Sequence, residues 1–498
     1  MQADFLVVGA GSAGSVLSAE LKRRGAGKVL VLEAGRSERH PLVSMPFGLV
    51  WLLGGARDWA FRSNPMKGLN GRSIAIPRGR MVGGSGSINS MVWFRGRAQD
   101  FDAWQLNGWS GAEVSPAFDA VEAKLRPQVF PSPHPLTAQL QSVLRANDPH
   151  PNPDVESAGI CSHNLIRGRR NSAATAFLRP SGVEVRTGCE VDCLLWTDDR
   201  ATGVRLVDDS EIKATKGVVL SAGSLLSPAI LMRSGIGPSA DLNRLGIDVR
   251  LDAPEVGQNL HDHPGIGLHF EGPGTGYGLE PRQWASWAMA PFAYLLGRGR
   301  LTSPTVEGAM FFNARGESSE PDVQSHFIPF YLDPKDRKYR ATSGYFADVC
   351  LCRPRSRGSL TLASKDAKAS PIIDLGVFRD GRDLETMVQG VLRLRKLLGT
   401  ARFGEGKAHE IAPGAEIQAQ DLASYIRQNA GTAYHPVGTL RMGDDKEAPI
   451  SARLAVRGMQ GLWVADASVM PKITSANTNA PSMMIGYKGA DYIMEDAQ

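Results

Sequence analysis

The chain has 498 residues, of which 42% are hydrophobic and 21% are charged, and its formal net charge is +5. This length allows two domains or one large interleaved domain. The small positive excess gives no support for nucleic-acid binding, and no apolar stretch is long enough to cross a bilayer. We therefore predict a globular protein with no nucleic-acid partner and no integral membrane segment.

The cysteines and the N-terminus indicate the compartment. Five cysteines are an odd number, and none of them forms a CxxC pair. A disulfide framework is therefore not expected, whereas a reducing compartment is. The first residues enter an apolar strand without the basic segment and long apolar region of a signal peptide. We predict a cytoplasmic location.

The first predicted element is a βαβ unit. An apolar strand is followed by Gly9, Gly11 and Gly14 in GxGxxG spacing, then by a helix and a second strand that ends at Glu33. This arrangement is typical of dinucleotide binding: Gly9 permits a sharp turn, Gly11 lets a pyrophosphate approach, and Gly14 lets helix and strand pack closely. The start of the helix would bind phosphates, and Glu33 would accept hydrogen bonds from a ribose. The unit alone does not distinguish NAD from FAD.

A second glycine-rich segment follows at residues 79–96, "GRMVGGSGSINSMVWFRG". Its four glycines within eight residues would let a flat ring or a phosphate lie against the backbone. An NAD enzyme with one Rossmann unit has no evident need for such a loop, whereas a flavin does. The alternative is a flexible surface loop, but the apolar residues that follow directly indicate a buried position.

Several segments together resemble the glucose–methanol–choline (GMC) flavoprotein oxidoreductases. Residues 79–96 are similar to the first signature of the family, and residues 221–238, "SAGSLLSPAILMRSGIGP", are similar to the second. The segments "VGQNLHDH", "HPVGT" and "NTNAPSMMI" also match. The resemblance covers nearly the whole chain and is closest to bacterial alcohol dehydrogenases of the choline- and sorbose-dehydrogenase type.

The resemblance implies an α/β fold, α+β in part. A Rossmann-like FAD-binding domain would be assembled from discontinuous segments, and a second, sheet-containing domain would bind the substrate. Strand-like patterns at residues 321–330 and 343–354 predict a sheet above the flavin. The predicted FAD-binding domain comprises residues 1–98, 166–263 and 431–498, and the predicted substrate-binding domain comprises residues 99–165 and 264–430.

The resemblance also implies the residues that contact FAD. They come from the two glycine-rich segments, the second signature, a strand near residue 191 and the C-terminal segment. The predicted FAD-binding residues are Gly9, Gly11, Ser12, Ala13, Gly14, Glu33, Ala34, Arg80, Val82, Gly83, Gly84, Ser85, Asn89, Met91, Val92, Val191, Ala222, Gly223, Asp466, Ala467, Asn477 and Thr478.

The sequence predicts neither a covalent bond to FAD nor a bound metal ion. Some family members attach FAD covalently through a histidine in the first signature, but the neighbouring positions here are Ser87, Ile88 and Asn89. We therefore predict that FAD is bound non-covalently. His261 and His263 alternate as a pair of metal ligands would, but two histidines alone do not complete a site, so no metal is expected.

His435 and Asn477 match the catalytic pair of the family. An alcohol that is oxidised loses a proton from oxygen and a hydride from carbon, and flavin N5 takes the hydride. A neutral imidazole, with an ordinary pKa near ~6.5, suits removal of the proton. A lone histidine is more often structural, but the match at both positions favours catalysis. We predict His435 as the general base and Asn477 as the donor that orients the alkoxide.

The predicted function is FAD-dependent oxidation of a small-molecule alcohol to an aldehyde or ketone. A dehydrogenase is favoured over an oxidase, and the electron acceptor would be quinone-type or O2. Two alternatives stay open: a lyase or photodecarboxylase-type enzyme on the same fold, and a flavin-binding protein without turnover. Glu307 would suit a cationic substrate, although a buried structural carboxylate is the more frequent role. The apolar stretch 284–296 is predicted as a core helix or a surface cap rather than a membrane contact.

Overall fold

A computed structural model describes residues 2–147, 156–315, 320–331, 333, 342–399, 403 and 408–497. Within these ranges two seven-stranded sheets organise the chain. Their strands, numbered in chain order, are β1 (Gln2–Val8), β2 (Val29–Glu33), β3 (Ser157–Ile160), β4 (Glu184–Thr187), β5 (Val191–Thr197), β6 (Arg200–Leu206), β7 (Glu211–Leu220), β8 (Pro264–Glu271), β9 (Gly308–Phe312), β10 (Val323–Ile328), β11 (Gly344–Leu351), β12 (His409–Ala412), β13 (Gly431–Thr432) and β14 (Leu462–Val464).

Helices and smaller ladders surround the two sheets. The longer helices are α1 (Ser12–Arg23), α2 (Gly111–Leu125), α3 (Leu140–Asn147), α4 (Ser227–Arg233), α5 (Gly381–Leu398), α6 (Ala419–Asn429) and α7 (Asn479–Asp496). Shorter α-helices span Pro41–Ser44, Leu49–Leu52, Ala98–Asp102, Pro135–Ala138, Arg179–Ser181, Ser239–Arg244, Trp284–Ala288 and Ala290–Leu295. Two-stranded ladders pair Phe61–Arg62 with Ala75–Ile76, Gln128–Val129 with Ser162–His163, Leu165–Ile166 with Arg169–Arg170, Ile236–Gly237 with Leu251–Asp252, and Ser359–Thr361 with Ile372–Asp374.

The first sheet contains the predicted βαβ unit. Its order is β4-β2-β1-β7-β6-β5, and β14 also pairs with β7. β1 lies between β2 and β7 and is parallel to both, and its residues from Phe5 onward are buried. Strands of parallel sheets that are covered on both faces read as continuous apolar runs, as β1 and β2 do. The carboxyl ends of β1, β2 and β7 meet at one edge, which brings Gly9, Glu33 and Ser221 close together.

The second sheet is antiparallel, in the order β12-β8-β11-β10-β9-β3, with β13 paired to β8. Side chains alternate between its two faces. Val323 of β10 faces α5, because a Cβ added at Gly390 of that helix would lie 3.1 Å from it. The neighbouring Gln324 and His326 therefore point to the opposite face. The strands that the sequence predicts within residues 321–330 and 343–354 are therefore present, as β10 and β11 of one sheet. These two adjacent strands present polar side chains on one face of the sheet.

The strands follow the predicted division into two domains with one exception. Every strand of the first sheet lies in the segments assigned to FAD binding, but Gly431–Thr432, assigned there too, pairs with β8 of the second sheet. Residues 99–125 also differ, because α2 and Trp109 pack on α7 and the indole of Trp109 donates to the Ala452 carbonyl. The division stays a proposal, and these contacts favour moving residues 99–125 to the FAD-binding side.

The apolar stretch 284–296 is not a core helix. It forms the two short helices Trp284–Ala288 and Ala290–Leu295, in which Ala290 is the only buried residue. The interpretation as a core helix is therefore wrong, and the stretch lies on the surface. Across the described ranges, no helix combines the length and the apolarity that a bilayer crossing requires.

Candidate active site

A cavity lies at the carboxyl edge of the first sheet. It is walled by the β1–α1 turn, the end of β2, the second glycine-rich segment and the turn after β7. Residues from the C-terminal part complete the wall, including His435, Asp466 and Asn477. In open α/β sheets, ligands bind at this edge, so the cavity has the position expected for a dinucleotide.

The start of α1 fits a pyrophosphate. Gly11 caps the helix without any side-chain hydrogen bond, which leaves N–H groups at this end for a ligand. A Cβ added at Gly11 would meet no atom within 4 Å, so the backbone is open to the cavity there. The second glycine-rich segment crosses the same point, because a Cβ on Gly84 would lie 2.9 Å from the Gly11 Cα. The two glycine-rich segments therefore form one cradle.

Glu33 ends β2 at the cavity wall. Its two carboxylate oxygens accept hydrogen bonds from the N–H groups of Ala10, at 3.0 Å, and Gly35, at 2.8 Å. Burial raises the pKa of this carboxyl group. Each oxygen accepts one bond from the protein and keeps further acceptor capacity, so the residue is suited to the ribose contact that the sequence predicts.

Asp466 has a different hydrogen-bonding state. Its Oδ2 accepts from Gly223 N at 2.8 Å and from Ser227 Oγ at 2.6 Å, and its Oδ1 accepts from both N and Oγ of Ser468. Two bonds to each oxygen use most of the acceptor capacity of a carboxylate. Asp466 therefore ties the turn after β7 to the C-terminal segment, and this fixes the wall of the cavity.

Most of the predicted FAD-binding residues line the cavity. Those on its wall are Gly9, Gly11, Ser12, Ala13, Glu33, Ala34, Gly84, Ser85, Asn89, Met91, Val92, Val191, Ala222, Gly223, Asp466, Ala467, Asn477 and Thr478. Gly14, Arg80, Val82 and Gly83 are not among the residues that line the cavity. Gly14 abuts the Gly9 carbonyl, and Arg80 forms an ion pair with Glu190 at 2.6 Å. Contact with FAD stays a prediction for these four residues and for those that line the cavity.

The helix after Asn477 points its N-terminus at the cavity. Thr478 is its N-cap, and no side chain caps the helix. Asn479 is the first residue of the helix, and its Oδ1 accepts a 2.7 Å hydrogen bond from Ser12 Oγ at the start of α1. Two helix N-termini therefore meet at the cavity, and both carry partial positive charge that favours an anionic ligand.

His435 is held at the cavity wall by its backbone. Its N–H donates to Asp262 Oδ1 at 2.8 Å, and Tyr434 before it adopts a φ of 66°. Non-glycine residues seldom adopt this left-handed conformation, and they do so where the surrounding structure imposes it. Arg78 donates to the Tyr434 carbonyl and thereby supports this turn.

A line of hydrogen bonds determines the tautomer of His435. His263 Nε2 lies 2.9 Å from the Thr474 carbonyl, which can only accept, so Nε2 of His263 carries the hydrogen. Burial lowers the pKa of His263 to about 4, and its Nδ1 is therefore an unprotonated acceptor. That Nδ1 lies 3.1 Å from His435 Nδ1, which must donate. In the neutral His435, the free lone pair is consequently on Nε2.

Asn477 faces this lone pair. Its Nδ2 lies 3.2 Å from His435 Nε2, and its Oδ1 accepts from Gln324 Nε2 at 3.0 Å. His326 Nε2 also lies 3.3 Å from Asn477 Oδ1, and His326 Nδ1 lies 3.1 Å from Asp348 Oδ2. Both ring nitrogens of His326 therefore face acceptors, as in an imidazolium. These bonds orient the amide so that its NH2 group points to His435.

His435 and His326 have opposite pKa shifts. Desolvation lowers the pKa of His435 well below its ordinary value, and His263, His326 and Arg78 lower it further. For His326, burial lowers the pKa, but the charge of Asp348 and the hydrogen bonds to Asp348 and Asn477 outweigh it and the net shift is upward. The site thus places an imidazole with a lowered pKa and an imidazole with a raised pKa on either side of one amide.

The sequence interpretation missed His263, His326 and Asp348 as members of this network. The signal available for His326 was a run of polar residues, "QSH", inside an otherwise apolar strand. His263 was considered only as a metal ligand. In the described part of the chain, His326, Asp348 and Cys350 lie close enough to hold a metal ion. The Cys350 thiol and His326 both hydrogen bond to Asp348, and the absence of a metal stays a prediction.

Glu307 does not line the cavity. It is fully buried and accepts hydrogen bonds from His134 N at 2.7 Å, Ser303 Oγ at 2.8 Å and Thr137 Oγ1 at 3.0 Å. Burial raises its pKa to about 7. Its contacts are those of a structural carboxylate, which was the alternative interpretation of this residue.

Comparison with known proteins gives concordant matches. Two sequence profiles of the GMC oxidoreductase family match residues 3–265 and 354–486. The chain is 36% identical to the oxygen-dependent choline dehydrogenase of Sinorhizobium medicae (strain WSM419), over 99% of this chain and 96% of that protein. It is 34% identical to an alcohol dehydrogenase (acceptor) of Pseudomonas putida, over 99% of this chain and 95% of that protein.

A solved structure gives the same answer for the fold. Pyridoxine 4-oxidase from Mesorbium loti superposes with a TM-score of 0.86 at 27% identity, covering 98% of each chain. These matches confirm the predicted fold class, the binding of FAD and the enzyme class, an FAD-dependent oxidoreductase that acts on CH–OH groups. The chain belongs to the GMC oxidoreductase family.

Proposed function

We propose that the protein oxidises a small-molecule alcohol by using His435 as the general base. One observation carries this assignment: the unprotonated Nε2 of His435 and the Nδ2 donor of Asn477 lie 3.2 Å apart, and both residues line the cavity. A hydroxyl group that lies beside both atoms in the cavity would give its proton to the imidazole and accept a hydrogen bond from the amide. The lyase and photodecarboxylase alternatives have no comparable observation in their favour.

The protein residues have distinct tasks in this reaction. When FAD is bound, it supplies an acceptor for the hydride at its N5. His435 Nε2 takes the hydroxyl proton, Asn477 Nδ2 holds the resulting alkoxide, and the backbone bond to Asp262 keeps the imidazole in place. His326 and Gln324 orient the amide through Asn477 Oδ1. The positive charge of His326 also favours an anionic oxygen in its neighbourhood.

Replacement of His435 tests the assignment. In His435→Ala, we expect the rate of flavin reduction to fall by roughly a hundred- to ten-thousand-fold while FAD stays bound, because general base catalysis is lost. The measurement is anaerobic stopped-flow absorbance of the flavin after mixing with alcohols. The matched control is His409→Ala, which removes an exposed imidazole on β12. Reduction at the wild-type rate in His435→Ala would contradict the proposal.

We also propose that FAD is held without a covalent bond. Ser87, Ile88 and Asn89 of the first signature segment offer no imidazole to the ring, and the two glycine-rich segments and two helix N-termini supply non-covalent contacts instead. Acid precipitation should therefore release the yellow colour into the supernatant. Colour that stays in the protein pellet would show a covalent bond.

For the other partners we propose a quinone-type acceptor in preference to O2, and a cytoplasmic location. The name of the Pseudomonas putida relative, an alcohol dehydrogenase (acceptor), supports a non-oxygen acceptor, whereas the name of the Sinorhizobium medicae relative, an oxygen-dependent choline dehydrogenase, supports O2. All five cysteines are free, as a reducing compartment would keep them. A screen of primary alcohols, aryl alcohols, sugars and choline, with dye reduction and peroxide measured in parallel, tests substrate and acceptor together. Peroxide formed in proportion to alcohol consumed would identify an oxidase.

A further inference from the structure

Two short helices on the surface carry a set of exposed apolar side chains. We use the name apolar hairpin for residues 284–296, which contain the helices Trp284–Ala288 and Ala290–Leu295. Singly exposed apolar residues are ordinary on protein surfaces, but a contiguous group indicates a contact surface. The large apolar residues of the hairpin that are 60–72% exposed are Trp284, Met289, Phe292, Leu295 and Leu296.

The apolar surface continues toward the cavity. The ring of Phe47 lies 5.8 Å from that of Trp287 in the hairpin and 5.7 Å from that of Trp51. Trp51 is 55% exposed and Leu53 is 40% exposed, and Leu53 also lines the cavity that contains His435. The hairpin and the segment around Trp51 therefore form one apolar surface that borders the cavity wall.

Arginines surround this surface. Residues 281–306 contain three arginines and no acidic residue, and one of the three, Arg282, forms an ion pair with Glu280 at 2.5 Å. Arg167 and Arg169 approach from a neighbouring ladder: Gly297 packs on the backbone of Arg167, and the Arg169 guanidinium lies 6.0 Å from the ring centre of Tyr294. Arg167, Arg169 and Arg298 are all exposed. The charge around the apolar side chains is therefore positive.

The exposed apolar side chains and the neighbouring arginines together indicate one kind of partner. Exposed tryptophan, phenylalanine and leucine side chains next to arginines are typical of helices that lie in the interface of a lipid bilayer. Anionic headgroups would complement the arginines while the apolar side chains enter the acyl boundary. We propose that the apolar hairpin docks the protein on the surface of an anionic bilayer without crossing it. Docking would bring the cavity wall at Leu53 to the lipid surface.

Vesicle co-sedimentation of the FAD-loaded protein tests the proposal. We expect the protein to sediment with vesicles of phosphatidylcholine and phosphatidylglycerol in equal parts, and less with pure phosphatidylcholine. In Phe292→Asp/Leu295→Asp, binding should fall by about tenfold or more, because two inserted apolar side chains are replaced by anions. The matched control Val249→Asp alters an apolar residue with 37% exposure outside this surface and should bind as the wild type does.

A second variant separates the contribution of charge. In Arg167→Glu/Arg298→Glu, binding to the mixed vesicles should weaken by about fivefold or more per arginine removed, and added salt should weaken wild-type binding in the same direction. The flavin spectrum of each variant verifies that it is folded and loaded. Wild-type binding by Phe292→Asp/Leu295→Asp would overturn the proposal. A wild-type dimer that ignores vesicles and dissociates in this variant would overturn it too, and would assign the surface to self-association.

Discussion

Three imidazoles belong to one hydrogen-bond network, and each of them faces different partners. His263 meets a backbone carbonyl, which fixes its hydrogen on Nε2 and makes its Nδ1 an acceptor. His435 must then donate through Nδ1, and its unprotonated Nε2 faces Asn477 Nδ2 in the cavity wall. His326 faces Asp348 on one side and the Asn477 oxygen on the other, so it is stabilised as a cation. The chemistry of the base thus depends on residues that do not touch the substrate.

The pKa of His435 should depend on Asp348. In the wild type, desolvation and nearby positive charges depress the pKa of His435, so it stays neutral to below pH 6.5 and flavin reduction should be lost only as the pH falls through that depressed value. In Asp348→Asn, His326 loses the partner that raises its pKa and becomes neutral. His435 is then less repelled and its pKa rises. We expect the acid limb of the reduction rate to move to higher pH, measured by stopped-flow across a pH series.

The sign of this shift distinguishes the electrostatic explanation from a structural one. A general loosening of the site would lower the rate at every pH and leave the acid limb in place. The matched control is Asp374→Asn, which removes a carboxylate that pairs with Arg379 on the surface. An acid limb that stays fixed or moves to lower pH in Asp348→Asn would contradict the proposed coupling of His326 to His435.

At the scale of elements, Gly11 and Gly14 of the β1–α1 motif are required for different reasons. Gly11 has an open cavity beside it, whereas a Cβ on Gly14 would lie 2.1 Å from the Gly9 carbonyl oxygen. Gly11 has an ordinary φ of −68°, so an alanine there creates no backbone strain. One glycine therefore leaves room for the ligand, and the other lets the helix pack on the sheet.

Alanine at these two positions should consequently give two different defects. Gly11→Ala should fold as the wild type does but bind FAD more weakly, because its methyl group occupies the space of the pyrophosphate. Gly14→Ala should lower the free energy of unfolding by about 1–3 kcal/mol or more through overpacking. The measurements are FAD content after purification and thermal unfolding with excess FAD. Equal unfolding temperatures for both variants would contradict this division.

The local elements were predictable from the sequence because their determinants are local. The apolar runs, the glycine spacing and the acid at Glu33 are all within the first 33 residues and correctly predicted β1, α1 and β2. The start of the helix Ser227–Arg233 is local in the same way, because Pro228 occupies its first turn. The start of α7 is not local, because the side chain of Asn479 accepts a hydrogen bond from Ser12 of a helix that is distant in sequence.

The interior of the site was harder to predict because it depends on strand register. The pairing of Phe327 with Ala347 in β10 and β11 places Asp348 opposite His326. Nothing in either strand alone specifies that alignment, since it is set by the packing of the whole sheet. The side to which residues 99–125 belong depends on similarly distant contacts: the indole of Trp109 donates to the carbonyl of Ala452, over three hundred residues away.

At the scale of the whole molecule, the cavity joins segments from both ends and the middle of the chain. Its wall contains Gly9, Ala222 and Asn477, each from a different part of the sequence. A ligand that contacts all of them stabilises the folded state as a unit. The fold and the cofactor site are therefore coupled thermodynamically, even though much of the cavity wall is fixed by hydrogen bonds within the protein.

Removal of FAD should reveal this coupling. At a free FAD concentration one hundred times the dissociation constant, the ligand contributes about 2.7 kcal/mol to the free energy of unfolding. For a chain of this size we expect the unfolding temperature of the apoprotein to rise by roughly 3 °C when FAD is restored. Calorimetry with FAD, and with NAD as the control, measures the difference. An equal rise with NAD would contradict a site built for a flavin.

The contact between His263 and the Thr474 carbonyl has a consequence for where protons can travel. A peptide carbonyl oxygen does not take up a proton near neutral pH, so the chain of imidazoles ends blindly inside the protein. A proton that His435 takes up at Nε2 therefore cannot leave through His263, and it must leave through the cavity that the alcohol entered. His435 therefore regains its neutral form only as the cavity empties. Solvent deuterium should slow the second half of the catalytic cycle, in which the neutral base is restored, more than the first half, in which the alcohol is oxidised.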